Sequence, residues 1–119
     1  MREIKFRSWL KERKEFIYNF TMDSILDSEA ERCILSQYTG LKDSNGREIF
    51  EGDIVQQNYK DVYNQNQAFV GEVVYSDCVY WLKNGDEYTF LYDEYRIYNS
   101  VVIGNVYQNP ELLEGVNVG

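Results

Sequence analysis

Carboxylates and tyrosines are the side chains this chain has in quantity. Twenty Asp and Glu and eleven Tyr stand beside twelve Lys and Arg, two Cys and no His. Without histidine the commonest general base near neutral pH, and the commonest metal ligand, are missing. Ser-His and Cys-His nucleophile arrangements are excluded outright. Acid–base chemistry would have to rest on carboxylates alone, as in a glycosidase or a magnesium-dependent nuclease. Pairs such as Glu51 with Asp53 and Asp93 with Glu94 are what twenty acids produce by chance. Adjacent strand residues also point to opposite faces. No GxGxxG, GxxxxGK[ST] or DxDxDG pattern occurs, so no phosphate cradle or calcium loop is expected. The sequence predicts no enzyme, no catalytic residue, no cofactor and no metal site.

Recognition chemistry is better represented. Tyr75, Tyr80, Trp81, Tyr88, Tyr92, Tyr95 and Tyr98 crowd one stretch. Aromatic rings on an open sheet can stack bases or anchor a partner protein. The charges between them, Asp77, Asp86, Glu87, Asp93 and Glu94 against Lys83 and Arg96, have the wrong sign for a nucleic-acid groove. These rings are therefore expected as core on one face and subunit contact on the other. Charge is uneven along the chain: residues 1–14 carry a balance of +4, and the remainder −12, for a total of −8. The acidic body makes nucleic acid an unlikely partner. Arg2, Lys5, Arg7 and Trp9 of the basic start form the candidate interaction surface, unless that start only neutralises the acidic body.

The elements that would position these groups are mostly strands. At 119 residues the chain is read as one domain, 1–119, large enough to fold without a staple. Ile4 and Phe6 alternate with charges, and Phe16, Tyr18 and Phe20 alternate after "KERKE", which predicts an N-terminal hairpin over 1–22. Residues 23–32 are polar, a linker or a short helix capped by Asp23 or Ser24. Residues 33–119 read as a β-barrel or meander of the small SH3-like kind. Its strands are expected at 33–38, from Ile54-Val55, and at 68–75, 79–83, 88–92 and 101–107, with a polar loop at 56–67. Asn45-Gly46 and Asn84-Gly85 predict tight hairpin turns. Gly71 and Gly104, inside strands, predict bulges or bends. Pro110 opens a short C-terminal helix. The fold class is mainly β, with that helix as the α contribution.

Two isolated cysteines, Cys33 and Cys78, predict buried free thiols in a reducing cytoplasm. No apolar run reaches the roughly 20 residues of a membrane-spanning helix, and no apolar signal core follows the basic start. A soluble, intracellular protein in the bacterial host cytoplasm is expected, with no membrane partner.

The stretch "QYTGLKDSNGREIFEGDIV" (37–55) carries the most specific pattern. With "REIKFRSW" before it and "GEVVY" and "VIGNVYQNPELL" after it, the chain resembles the YopX family of phage and prophage proteins. There a start like "IKFRAWD", a block "YTGLKDKNGKEIYEGDIV" and an ending like "IGNIYENPELL" recur in the same order. One departure is Leu10, where the family commonly has an acidic residue. The resemblance implies a small β-rich protein encoded by phages or prophages of Gram-positive bacteria. It supplies no catalytic positions to map. Gly40, Asn45, Gly46, Gly52 and Asp53 are read as what the backbone requires, and Tyr38, Ile49, Phe50, Ile54 and Val55 as what the core requires. The function expected is a non-enzymatic accessory protein acting by contact with a host or phage protein, or by self-assembly as a homo-oligomer. The alternatives are an acidic decoy imitating nucleic acid, and nucleic-acid binding through the basic hairpin with Trp9 stacking.

Overall fold

The computed structural model describes residues 4–18, 33–93 and 96–114. Among the described residues nine strands follow one another: β1 (Phe6–Leu10), β2 (Glu15–Ile17), β3 (Cys33–Lys42), β4 (Glu48–Phe50), β5 (Asp53–Lys60), β6 (Asn66–Ser76), β7 (Val79–Asn84), β8 (Glu87–Phe90) and β9 (Ile97–Asn105). One helical turn, α1 (Glu111–Glu114), closes the described chain just after Pro110. Every strand pairing is antiparallel. One sheet has the order β2-β1-β3-β4 and the other β8-β7-β6-β5-β9. Curled together they make a half-barrel, mainly β as the sequence predicts.

Ile49, Val55, Val73, Leu82, Leu91 and Val102 form the buried core, with Leu41, Phe69 and Tyr80 packed against it. Each such aliphatic side chain removed from water is worth about 1.5–3 kcal/mol. Ile54 and Val55 are both fully buried, so β5 is covered on both faces where the sheets meet, and consecutive apolar residues suit that position. The expected 23–32 linker, and the end of the second predicted strand at 19–22, lie outside the described residues.

Three expectations are corrected. Residues 56–67 are not a loop: β5 continues to Lys60 and pairs with β6 from Asn66. Polar strands there extend past the core, and the hairpin between them is built on Asp61. Its Oδ1 accepts the N–H groups of Tyr63 and Gln65, both at 2.9 Å, and Asn64 takes a positive φ of 59°. Second, the first strand does not divide into a buried and an exposed face: Ser8 and Leu10 are buried together with its odd-numbered residues. Ile4 and Phe6 are exposed, while Arg7 and Trp9 are buried. Third, Cys78 is exposed and Cys33 only half-buried. Cys78 stands with Asp77 in the two-residue turn between β6 and β7, both at positive φ.

The two Asn-Gly steps differ. At Asn45-Gly46 only Gly46 has positive φ, 84°. Its N–H donates to Asp43 O, and Asp43 N–H donates to Arg47 O. This is a three-residue hairpin loop with glycine in the left-handed position, rather than a two-residue turn. At Asn84-Gly85, Asn84 pairs with Glu87 and leaves two residues between the strands, as predicted. Of the strand glycines, Gly104 adjoins a register shift between Ile54 and Val55. Gly71 sits in regular register. A side chain there would press on the Phe69 ring and the Lys83 backbone.

Candidate functional site

The family-like stretch converges on one buried joint between the sheets. Arg7 on β1 and Asp53 at the start of β5 lie 2.8 Å apart, each side chain 2% exposed. Arg7 is sandwiched by rings, with its guanidinium carbon 4.0 Å from the Phe16 centroid and 4.8 Å from that of Phe50. Its Nη2 donates to Glu51 O at 3.2 Å. Asp53 Oδ2 accepts the Phe50 N–H at 2.8 Å. Although the Arg7–Asp53 contact is short, neither Arg7 Nε nor Asp53 Oδ1 makes a hydrogen bond. Charge and the flanking rings hold the pair. Burial raises the Asp53 carboxyl above its ordinary value, and Arg7 and the Phe50 N–H offset this only in part.

Around this pair an aromatic column seals the joint. Trp9 stacks on Tyr107 at 5.4 Å and meets Phe16 at 4.9 Å. Tyr38 lies against Phe50 at 5.6 Å. Gly52 makes the turn into β5, with φ 87°, and a Cβ there would meet the Tyr107 ring at 3.1 Å. Its N–H donates to Val73 O and its carbonyl accepts from Val106, so the turn is fastened on both sides.

A second fastening was not singled out from the sequence. Asp43, 7% exposed, accepts N–H groups from Asn45 and Arg47 on Oδ1 and from Val102 on Oδ2. Ser44 also exchanges hydrogen bonds with Ser100. The β3–β4 turn thus covers the outer edge of β9. Burial tends to raise the Asp43 carboxyl, but the N–H groups of Val102, Arg47 and Asn45, with the Arg47 charge, hold it below its ordinary value. The same Asp-x-x-(Asn/Gly) arrangement recurs at Asp61, and a carboxylate three residues before a residue suited to positive φ is the sequence signal that could have found both turns.

The remaining predicted residues fall into place around the joint. Tyr38, Ile49 and Val55 are buried. Gly40 has φ 87° where the β3–β4 register shifts. Lys5 pairs with Glu48 at 2.5 Å and lies over the Tyr38 ring. Arg2 lies outside the described residues. The candidate surface of Arg2, Lys5, Arg7 and Trp9 is therefore corrected: Arg7 and Trp9 face inward, because a buried carboxylate and two rings offer the guanidinium more than solvent-facing neighbours do. Among the described residues no group of three or more acids and cysteines could hold a metal ion.

The exposed rings are elsewhere. On the outer face of β7 and β8, Trp81 stacks on Phe90 at 4.8 Å and meets Tyr88 edge-on at 6.2 Å. Trp81 Nε1 donates to Ser76 O, and Phe90 and Tyr88 are about half exposed, at 49% and 53%. Lys83 and Glu72 complete this face as a cross-strand pair, where burial raises the Glu72 carboxyl against the pull of Lys83. Among the described residues β8 is the edge of its sheet. The half-barrel is open beside it, along a cavity of about 370 Å³ that reaches across to β5, β6 and β9.

A family model described as YopX protein matches residues 21–114. Among solved structures, a crystal structure of protein EF1440 from Enterococcus faecalis is similar with a TM-score of 0.65 and 28% identity, over 95% of this chain and 99% of that one. No curated protein matches. Among the described residues no helix is long and apolar enough to cross a membrane.

Proposed function

The chain belongs to the YopX family, and from that premise we propose that it is a phage- or prophage-encoded accessory protein of the host cytoplasm that works by protein–protein contact, self-association first, and not by catalysis. One observation carries the reading. The Trp81–Phe90 stack with Tyr88 forms an aromatic patch on an edge strand, and such side chains are enriched where protein surfaces meet. The carboxylates best placed for chemistry already have structural duties: Asp53 holds Arg7, and Asp43 and Asp61 each fix a turn. The reading through a basic hairpin loses two of its residues to the interior. An acidic decoy keeps only the net charge in its favour.

Sedimentation velocity over a wide concentration range tests the proposal. Self-association in the wild type that Trp81→Ser removes, with the melting temperature little changed, is the expected result. A monomer at every concentration would remove the self-contact reading.

A further inference from the structure

The open side of the half-barrel has a lining that the aromatic patch does not use. Tyr59 of β5 and Phe69 of β6 lie across the cavity from Glu87 and Thr89 of β8, with Asp93 at its margin; Tyr88 and Phe90 border it too, but their rings pack with Trp81 on the outer face. Arg96 is the one cation in the lining. Its Nε reaches back to Lys60 O at 3.4 Å, and its charge acts on Asp61. Glu87 forms no ion pair among the described residues.

Behind the cavity wall lies a second acceptor. Gln57 is fully buried and opposes Phe69 in the β5–β6 register. Its Nε2 donates to the carbonyls of Phe90 and Leu91, both at 2.9 Å. Two acceptors fix which end of the amide is nitrogen, and Oε1 is left buried without a donor. A native protein rarely leaves such a group unsatisfied.

The strand beside the cavity is also incomplete. Leu91 N–H donates to Tyr80 O, and bonding alternates along an antiparallel ladder. The backbone groups of Tyr88 and Phe90 therefore point to the free edge. Phe90 O is taken by Gln57, while Tyr88 keeps both groups open to an incoming strand.

We infer that this seam binds an extended polypeptide segment of another protein, which pairs with the edge of β8 and places an arginine side chain in the cavity. The cavity offers the Glu87 carboxylate and the Tyr59 and Phe69 rings, and the strand edge beside it offers the Tyr88 N–H and carbonyl and the Phe90 N–H. Guanidinium supplies only donors, stacks flat on aromatic rings and is weakly hydrated. Strand addition supplies the backbone half of the contact, and the cavity reads one side chain. The net charge of −8 favours a basic approach. The inference rests on the reading that the chain works by protein contact, but it uses the inside of the seam rather than the outer Trp81 face.

The probe is a capped five-residue peptide of alternating valine and threonine with a central arginine, titrated calorimetrically into the full chain. Matched peptides carry citrulline or lysine at the centre, and free arginine amide is the fourth ligand. The arginine peptide is expected to bind at least tenfold more tightly than the citrulline peptide and than free arginine amide, with the lysine peptide in between. Glu87→Gln, at an exposed position, should weaken the arginine peptide about fivefold, and Arg96→Gln should strengthen it. Equal affinity for arginine and citrulline, or no binding of any peptide, overturns the inference. Free arginine amide binding as tightly as the peptide overturns the strand-pairing part. Wild-type self-association that persists when no peptide binds would sink this inference alone and leave the self-contact reading standing.

Discussion

The sheet joint and the open seam are made from the same kinds of residue and treat them in opposite ways. At the joint, Arg7 meets a carboxylate and two rings inside the protein, with 2% of its side chain exposed. At the seam, rings and carboxylates line the cavity, and Gln57 Oε1, buried behind its wall, lacks a donor among the described residues. The joint pairs its cation with a carboxylate, whereas Arg96, the cation in the seam lining, donates to Lys60 O and leaves Glu87 without an ion pair among the described residues. Aromatic and acidic composition alone therefore does not separate a structural cluster from a recognition site. What separates them is whether the complementary group belongs to the chain.

The strongest way to break this comparison is to remove the internal partner. Asp53→Ala leaves a buried guanidinium uncompensated and should cost about 3–5 kcal/mol, read as a fall in the denaturant midpoint. Replacing both members, Arg7→Met with Asp53→Leu, should recover most of that loss, because the raised Asp53 carboxyl shows that burial opposes its charge. If the double variant is as unstable as the single one, the pair does more than satisfy itself.

A smaller effect sharpens the contrast at Asp43, which covers the β9 edge while β8 stays open. Asp43→Ala removes a charged acceptor from three N–H groups and should cost about 2–3 kcal/mol. The pH dependence carries its sign. The folded-state value lies below the ordinary 3.8, so the contribution is complete above that value and is lost as pH falls through the folded one. Denaturant midpoints at pH 7 and pH 3 should therefore differ less in Asp43→Asn than in the wild type. An unchanged pH response would mean that the turn does not depend on the carboxylate.

The smallest expected effect lies in the β6–β7 turn of the seam-side sheet. Cys78 holds φ 65°, a conformation that costs a non-glycine residue about 1–2 kcal/mol. Cys78→Gly should gain about 1 kcal/mol in thermal unfolding and leave peptide binding unchanged. A loss of binding would tie that turn to the seam.

Much of the joint was legible in the sequence and little of the seam was. The alternation of "AFVGEVVY" and "VYWLK" and the glycines of "NGREIFEGDIV" report local geometry, so the strands and turns follow from them. Arg7 did not, because a charge alternating with the apolar Ile4 and Phe6 reads as the solvent face until a buried Asp53 is placed opposite. That pairing spans 46 positions and is set by the curl of two sheets. The 56–67 stretch misled for a different reason: Gln57 is polar and yet fully buried, since its partners are carbonyls from β8 and the residue after it. Strand edges, and therefore the seam, depend on sheet order, which no local pattern encodes.

Amide hydrogen exchange at β8, followed residue by residue without and with the arginine peptide, tests the openness of the seam most directly. The Tyr88 amide should exchange rapidly in the free protein, while those of Phe50 and Val102 exchange only on global unfolding, and peptide should slow Tyr88 selectively. A Tyr88 amide as protected in the free protein as Val102, or one that peptide leaves untouched, would contradict the account.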